Sequence, residues 1–175
     1  MPFGRGKPFL SDARGFLNQL VGGWEVTGIA RYNSAMPVNV NFVFDLANTG
    51  VGGPQRPDRI LGQPARVESL MAQDKSQGWL NPDAFRMPAQ YTFGNLGRNT
   101  ERGPAFANWD LGIFKNFPLH GEKQMLQFRT ELFNAFNNVN MGAPGWGYYG
   151  TANFGRTFST QNRSREIQFA LKFLF

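Results

Sequence analysis

The 175-residue sequence predicts an all-β fold in which antiparallel strands are separated by long loops. Three observations support this prediction. Apolar and polar side chains alternate with a period of two in several segments, as expected of strands that present one apolar face. Aromatic residues make up 15% of the chain and charged residues only 17%, an unusual balance for a water-soluble globule. The 21 glycines and 11 prolines punctuate the alternating segments, where turns and loops need them.

The first two strands are predicted within residues 24–44. Apolar or small side chains alternate with polar ones over residues 24–33, and only Ile29 breaks the polar register. Residues 34–37 (SAMP) have the composition of a turn, and alternation resumes over residues 38–44. The pattern therefore predicts a hairpin with strands at 24–33 and 38–44.

Two long loops are predicted at residues 45–105 and 137–164. Both segments are rich in glycine, asparagine or proline, and neither shows sustained alternation. Residues 67–71 are predicted to form one short helical turn. Loops longer than about 12–15 residues are usually functional or disordered in compact domains.

Two more strands are predicted at residues 109–117 and 126–132, on either side of a turn at residues 118–122. The second segment also allows a helix, because residues 125–136 include good helix formers. The strict alternation and the preceding turn favour a strand.

The last segment has the clearest pattern in the chain, with one wholly apolar face ending on Phe175. The opposite face includes Glu166, Gln168 and Lys172. The segment has about the 9–11 residues that a tilted transmembrane strand needs. The apolar face consists of Ile167, Phe169, Leu171, Phe173 and Phe175.

These strands are predicted to form part of a transmembrane β-barrel with long loops. No run approaches the roughly 18 apolar residues of a spanning helix. A closed barrel is the remaining way to cross a bilayer, because an open sheet edge in lipid leaves backbone groups unpaired. Since residues 1–20 show no signal peptide, we expect the chain to be a fragment of a longer exported protein.

Five motifs follow one another along the chain: residues 102–104 (RGP), 108–111 (NWDL), 114–117 (FKNF), 131–137 (ELFNAFN) and 165–175 (REIQFALKFLF). In this order they resemble the carboxy-terminal end of Oar-like TonB-dependent receptors, and residues 2–7, 22–24 and 93–99 resemble the same family. The resemblance implies that residues 1–175 are the carboxy-terminal segment of a barrel of about 22 strands. The plug domain and the segment that contacts TonB would lie outside this sequence. The implied function is uptake of an unknown nutrient across the outer membrane of a Gram-negative-type bacterium.

The resemblance also implies an assembly signal in the last strand, read by the outer-membrane assembly machinery. The signal has a polar residue, a small residue two positions later, and two large apolar residues that end the strand. Gln168, Ala170, Phe173 and Phe175 occupy these positions, with alanine where glycine is usual. An edge strand can bind a partner sheet through its backbone while alternate side chains give specificity.

The resemblance leaves the direction of the first strands unresolved. If the carboxy terminus is periplasmic, the predicted strands place residues 45–105 outside and the 34–37 turn in the periplasm. However, residues 2–7 resemble the periplasmic turn at 118–123, which would send the strand at 24–33 outward. One more crossing within residues 8–20 or 45–105 would remove the conflict, and both possibilities stay open.

Catalysis, metal binding and cofactor binding are not predicted. The chain has no cysteine and one histidine, His120, in a predicted turn, so a nitrogen–sulfur metal site and a histidine general base lack support. Residues 4–7 (GRGK) lack the spacing of a phosphate-binding loop. We expect that the chain is not an enzyme.

Cations and aromatic residues in the loops are candidates for contacts with an anionic ligand or with lipopolysaccharide. Arginine binds phosphate and carboxylate through paired donors, although ordinary solvated charge is the commoner role. The aromatic residues could equally form the girdle at the membrane boundary. The candidates are Arg98, Arg102, Arg156, Trp146, Tyr148 and Tyr149.

An alternative function is a soluble β-rich module that binds an anionic ligand such as nucleic acid, and the net charge of +6 permits it. Such a module would place aromatic and cationic side chains on one face. The last strand predicts them on opposite faces. We therefore expect contacts with outer-membrane lipid and lipopolysaccharide and none with nucleic acid.

Overall fold

The computed structural model describes two compact units within one chain. The sheet unit comprises Met1–Tyr32, Ala107–Val139 and Arg163–Phe175, and the loop unit comprises Asn33–Phe106 and Asn140–Asn162. The residues whose structure is described are 2, 6–12, 15–51, 53–67, 78–120, 124–144 and 148–175.

The regular elements are one short helix and eight strands in the described part of the chain. Helix α1 spans Gly15–Val21. The strands are β1 (Trp24–Asn33), β2 (Pro37–Val38), β3 (Asp58–Arg59), β4 (Phe85–Arg86), β5 (Glu101–Arg102), β6 (Phe106–His120), β7 (Gln124–Phe133) and β8 (Glu166–Leu174). No helix among the described residues is long and apolar enough to cross a membrane.

The four long strands form one sheet in the order β1-β6-β7-β8. β6 pairs antiparallel with β7, and β7 with β8. β1 runs antiparallel to β6, because Gly23 accepts a 2.8 Å hydrogen bond from the Asn116 amide while Gly28 lies against Leu111. The sheet is thus an up-and-down meander, open at β1 and β8. Its two long connections, residues 34–105 and 134–165, leave from the same end, and the β6–β7 hairpin closes the other end.

The loop unit has a hydrophobic core of its own. β2 pairs with β5, β3 pairs with β4, and a 3-10 turn at Pro82–Ala84 begins at Asn81, whose side chain accepts from the Asp83 amide. The aromatic rings of Phe85, Tyr149 and Phe154 have centroids 5.3–6.1 Å apart. The core consists of Val40, Leu80, Ala84, Phe85, Leu96 and Phe154.

The strands predicted at residues 109–117, 126–132 and 166–175 are confirmed by β6, β7 and β8. The helical alternative for residues 125–136 is wrong, because Gln124–Phe133 pairs on both sides with neighbouring strands. β6 is longer than predicted and includes Pro118–His120 of the expected turn. The remainder of that turn, and most of the helical turn predicted at residues 67–71, lie outside the described residues.

The predicted hairpin at residues 24–44 is wrong. Only its first half forms a long strand, since Pro37–Val38 pairs with β5 instead of β1. The alternation over residues 38–44 arises because Val40 and Phe42 are buried within the loop unit. Residues 34–37 therefore begin a long connection to β6. Because β1 lies directly against β6 and runs opposite to it, the conflict of direction disappears without an additional crossing.

Candidate functional site

The two faces of the four-stranded sheet form the candidate site. Directly opposed residues of antiparallel neighbours point to the same side, so the registers assign each side chain to a face. Gly28 beside Leu111, and Thr27 beside Gly112, extend the assignment to β1. The face that includes Phe128, called the apolar face below, is formed by Trp24, Val26, Gly28, Ala30, Tyr32, Trp109, Leu111, Ile113, Lys115, Phe117, Leu126, Phe128, Thr130, Leu132, Ile167, Phe169, Leu171 and Phe173.

The apolar face is exposed over much of its area. Phe169 and Leu171 have 65% and 67% of their surface accessible, and the rings of Phe128 and Phe169 stack at 6.0 Å. Apolar patches larger than a few hundred Å² are rare on water-soluble monomers and mark contact with protein or membrane. This surface therefore needs an apolar environment.

Several polar side chains of the opposite face pair with one another within the sheet. Arg129 forms a 2.8 Å ion pair with Glu131, and its guanidinium lies 4.5 Å from the centre of the Phe114 ring. Gln127 donates a 2.8 Å hydrogen bond to Asn116 across β6 and β7. This polar face could line an aqueous interior, as in membrane barrels with apolar-out, polar-in strands.

Gly112 leaves room for the Phe114 ring on the polar face of the sheet. A Cβ atom at this position would be 2.7 Å from Cζ of Phe114 and 2.6 Å from Oγ1 of Thr27. Both distances are shorter than van der Waals contact, so a side chain here would displace the ring that faces Arg129. The glycine is therefore required by close packing, as expected of glycine within a strand.

An asparagine network holds β6, β7 and β8 together at the end of the sheet with the long connections. Asp110 accepts 2.9 Å hydrogen bonds from the Asn108 side chain and the Asn134 amide. Asn134 in turn donates to the carbonyls of Asn138 and Arg163, each at 3.0 Å. Its φ of 51° is in the left-handed region, which asparagine tolerates better than most residues. Two of the sequence motifs, residues 108–111 and 131–137, thus have a structural explanation.

The aromatic candidates of the loops differ in environment. Tyr149 packs against Phe85 and Phe154, and its hydroxyl donates a 2.6 Å hydrogen bond to the Phe85 carbonyl. Burial, together with the charge of Asp83, raises the pKa of Tyr149. Tyr148 is half-buried, and Trp146 lies outside the described residues.

The cationic candidates Arg98, Arg102 and Arg156 are exposed, and two of them flank Trp79. The Trp79 indole donates to the Arg102 carbonyl, and the Trp79 amide donates to the carbonyl of Gly155, the residue before Arg156; both distances are 2.6 Å. The Arg66 guanidinium lies 5.9 Å from the Trp79 ring. Sequence reasoning missed Trp79 and Arg66, because no local pattern indicates contacts that span 13 residues or more.

The described residues contain no group of three His, Cys, Asp or Glu side chains that could hold a metal ion. The acidic side chain with the most hydrogen bonds from its own loop is Asp45, which accepts from the amides of Thr49 and Gly50. These bonds, with that from Thr49 as the largest cause, lower the Asp45 pKa. Asp45 therefore organises the loop that contains it.

The apolar face, the polar face and the meander connectivity together define a segment of membrane β-barrel wall. The family model described as outer membrane beta barrel domain matches residues 1–168. The chain belongs to this family and is located in the outer membrane. Searches of curated proteins and of solved structures found no match. An outer-membrane location does not fit the soluble character of the alternative module, and the absence of nucleic-acid binding stays a prediction.

Proposed function

We propose that the chain forms part of the barrel wall and the outer loops of a TonB-dependent transporter that imports a scarce nutrient. One observation supports this most strongly. Both long connections leave the sheet at the same end, and together they form a folded unit with its own core. Large structured loops on one side are typical of transport barrels, where they lie outside the cell and contact the ligand.

The resemblance of the motifs to Oar-like TonB-dependent receptors supports the same proposal, with the chain as a carboxy-terminal segment. In this function the sheet supplies wall and lumen surface and performs no chemical reaction. Energy would come from TonB, as the resemblance implies.

A genetic comparison tests the transport proposal. Strains lacking the barrel gene, the tonB gene or both are grown on media in which iron, cobalamin or an oligosaccharide is limiting. We expect the barrel and tonB single mutants to share a defect on one nutrient, with no further loss in the double mutant. A barrel-specific defect that is absent from the tonB strain would contradict TonB coupling.

The orientation of the sheet is tested by labelling intact cells with a membrane-impermeant thiol reagent. In the proposed orientation, Thr151→Cys in the loop unit is labelled on intact cells. Gln124→Cys at the hairpin end is the matched control and is labelled only after permeabilisation. The reverse pattern would overturn the orientation and leave membrane location untouched.

The arginines that flank Trp79 are proposed to contact phosphate groups of lipopolysaccharide. Trp79 donates to the backbone carbonyls of Arg102 and of Gly155, the residue before Arg156. Both arginines therefore belong to segments bonded to this tryptophan, and arginine pairs well with phosphate. We expect the double variant Arg102→Gln/Arg156→Gln to retain less lipopolysaccharide phosphate on purification. Arg86→Gln removes the same kind of charge from a side chain already paired with Asp58 at 3.3 Å and serves as the control. Equal losses in both variants would contradict a specific contact.

The assembly signal at Gln168, Ala170, Phe173 and Phe175 stays a prediction, and β8 has features that favour it. β8 is an edge strand of the sheet, and its Phe173 and Phe175 rings stack at 5.9 Å. Leu171 offers a matched control on the same face of the same strand. If Phe173 belongs to the signal, Phe173→Ala lowers the amount of assembled protein in the outer membrane and Leu171→Ala does not. Equal effects would leave Phe173 as ordinary lipid-facing wall.

A further inference from the structure

Helix α1 is amphipathic and presents its apolar side to the surroundings. Its sequence, GFLNQLV, places Phe16, Leu17 and Leu20 on one side and Asn18 and Gln19 on the other. Phe16 is 79% exposed, and Leu17 and Leu20 are each more than half exposed. A helix of seven residues is too short to be stable in water by itself, so its partner has to be identified.

The end of α1 is attached to the apolar face of the sheet. Nζ of Lys115, a residue of that face, donates hydrogen bonds to the carbonyls of Leu20, at 3.3 Å, and Gly22. The Trp24 indole donates to the same Leu20 carbonyl at 2.9 Å. These contacts fix the carboxyl end of the helix on the side of the sheet that faces lipid.

Lys115 is the one charged residue on the apolar face within the four described strands. A cation there would be costly in lipid without partners. Lys115 is only 4% exposed, and Nζ lies 5.0 Å and 5.4 Å from the ring centres of Trp24 and Phe117. The carbonyls at a helix carboxyl end carry partial negative charge and suit a cation. The carboxyl end of the helix therefore supplies the hydrogen-bond acceptors that a lysine on an apolar surface requires.

Tryptophan and lysine side chains concentrate at membrane boundaries, where a ring and a charge can meet apolar and polar surroundings together. Trp24 and Lys115 lie near the hairpin end of the sheet. Lys115 is two residues before Phe117, which pairs with Leu126, and Leu126 in turn pairs with Phe173. The exposed side of α1 ends at Leu20, whose carbonyl accepts from both Trp24 and Lys115. Phospholipid at the interface is thus the partner whose chemistry fits both.

We propose that α1 is an interfacial anchor. It lies in the membrane boundary at the hairpin end of the sheet, with Phe16, Leu17 and Leu20 in the region between headgroups and acyl chains, and Lys115 ties it to the wall. The partner is a phospholipid surface. The inference rests on the outer-membrane location of the sheet and is independent of transport and of TonB.

Depth-dependent fluorescence quenching tests the anchor. Because the chain has no cysteine, single cysteines at positions 16, 19 and 20 can each be labelled with an environment-sensitive dye. The protein is reconstituted in phosphatidylethanolamine and phosphatidylglycerol vesicles that contain lipids spin-labelled either near the headgroup or near the chain end. Gln19→Cys, on the polar side of the same helix, is the matched control.

We expect the shallow label to quench positions 16 and 20 at least about two-fold more than position 19, and more than the deep label does. Equal quenching at all three positions would overturn the proposal, as would stronger quenching by the deep label. So would shielding of positions 16 and 20 from both lipid labels and aqueous iodide, because that result indicates a protein partner.

A Lys115 variant tests the link between helix and wall. Lys115→Met keeps an apolar side chain of similar length but removes the donor to both carbonyls. We expect the dye at position 20 to lose at least about half of its shallow quenching while the sheet still assembles. Lys115→Arg keeps a donor and should preserve most of the shallow quenching at position 20. Unchanged quenching in Lys115→Met would remove the lysine from the proposed anchor.

Discussion

The loop unit buries its apolar side chains in a core, whereas the sheet unit exposes many of its apolar side chains on one face. In the loop unit, Phe85 is 2% exposed and packs against Phe154 and Tyr149. In the sheet unit, Phe169 and Leu171 are about two-thirds exposed, and the polar pair Arg129 and Glu131 lies on the other face. One unit has the core of a protein folded in water, and the other has the two faces of a wall between lipid and water.

This difference shows that a single chain can be built for two solvents. The hydrophobic effect drives burial inside the loop unit, since its apolar groups would otherwise contact water. The same groups on the sheet are stable because lipid replaces water around them, while closure of the barrel satisfies the strand backbones. Substitutions should therefore have consequences that depend on the unit.

The largest effect is expected for Phe85→Ala in the loop unit. Removing a fully buried aromatic ring should lower the free energy of unfolding of this unit by about 3–5 kcal/mol. Phe93→Ala, at an exposed ring of the same unit, should change it by less than about 0.5 kcal/mol. Urea unfolding followed by tryptophan fluorescence measures both. Similar midpoints for the two variants would contradict a buried core.

The next largest effect is expected on the apolar face. Phe169→Arg should destabilise the protein in bilayers by about 2–4 kcal/mol, the cost of a cation facing lipid near mid-membrane. Gln168→Arg, one residue away on the polar face, should cost much less, because its side chain faces the interior, where substitutions mainly change selectivity. Gel mobility without heating, over a urea series in lipid vesicles, gives both values. If Gln168→Arg destabilised the protein more than Phe169→Arg, the lipid-facing and interior-facing sides of the sheet would be the reverse of those assigned.

A smaller effect is expected in the asparagine network. Asn134→Ala removes the side-chain hydrogen bonds to the carbonyls of Asn138 and Arg163 and leaves alanine at a φ of 51°. The expected loss of stability is about 1–3 kcal/mol. Asn134→Gly removes the strain of a side chain at positive φ and should recover about 0.5–1 kcal/mol of the stability lost in Asn134→Ala. Thermal unfolding in detergent tests the series, and a glycine variant worse than alanine would contradict the backbone argument.

The smallest effect is expected from protonation of Asp45. Hydrogen bonds from Thr49, Gly50 and Gln55 lower its pKa below the ordinary value of 3.8. Since the folded pKa is the lower one, the stabilisation is complete above pH 3.8 and is lost as the pH falls below it. The protection of the Thr49 and Gly50 amides against hydrogen exchange, corrected for the intrinsic exchange rate at each pH, should fall only in that acid range. Asp45→Asn should remove this pH dependence. If the pH dependence persists in the variant, another titratable group causes it.

The strands of the sheet unit were predictable because a barrel wall gives each strand one apolar and one polar face. The same signal failed at residues 38–44, where Val40 and Phe42 alternate because a folded connection buries them. Alternation reports alternate burial, and it does not distinguish a strand from a segment packed on a core. The pairing of β1 with β6, across more than 70 residues, has no local signal.

The candidate site was predictable only in part. The two faces of β8 followed from its sequence, and the register with β7 confirmed which residues share a face. The role of Asn134 depends on the Arg163 carbonyl, 29 residues later, and the environment of Lys115 depends on a helix almost 100 residues earlier. Contacts of this kind arise from tertiary folding, so no period or motif in the sequence specifies them.

Alternating accessibility along β8 tests most directly which face of the sheet lies toward lipid in the membrane. Spin labels are placed one at a time at residues 166–173 of the protein in isolated outer membranes. Collisions with oxygen, which partitions into lipid, and with a water-soluble nickel complex are measured at each position. The face assignment predicts a period of two, with oxygen favoured at Ile167, Phe169, Leu171 and Phe173 and nickel favoured at the positions between. Accessibility without alternation, or with the opposite phase, would contradict it.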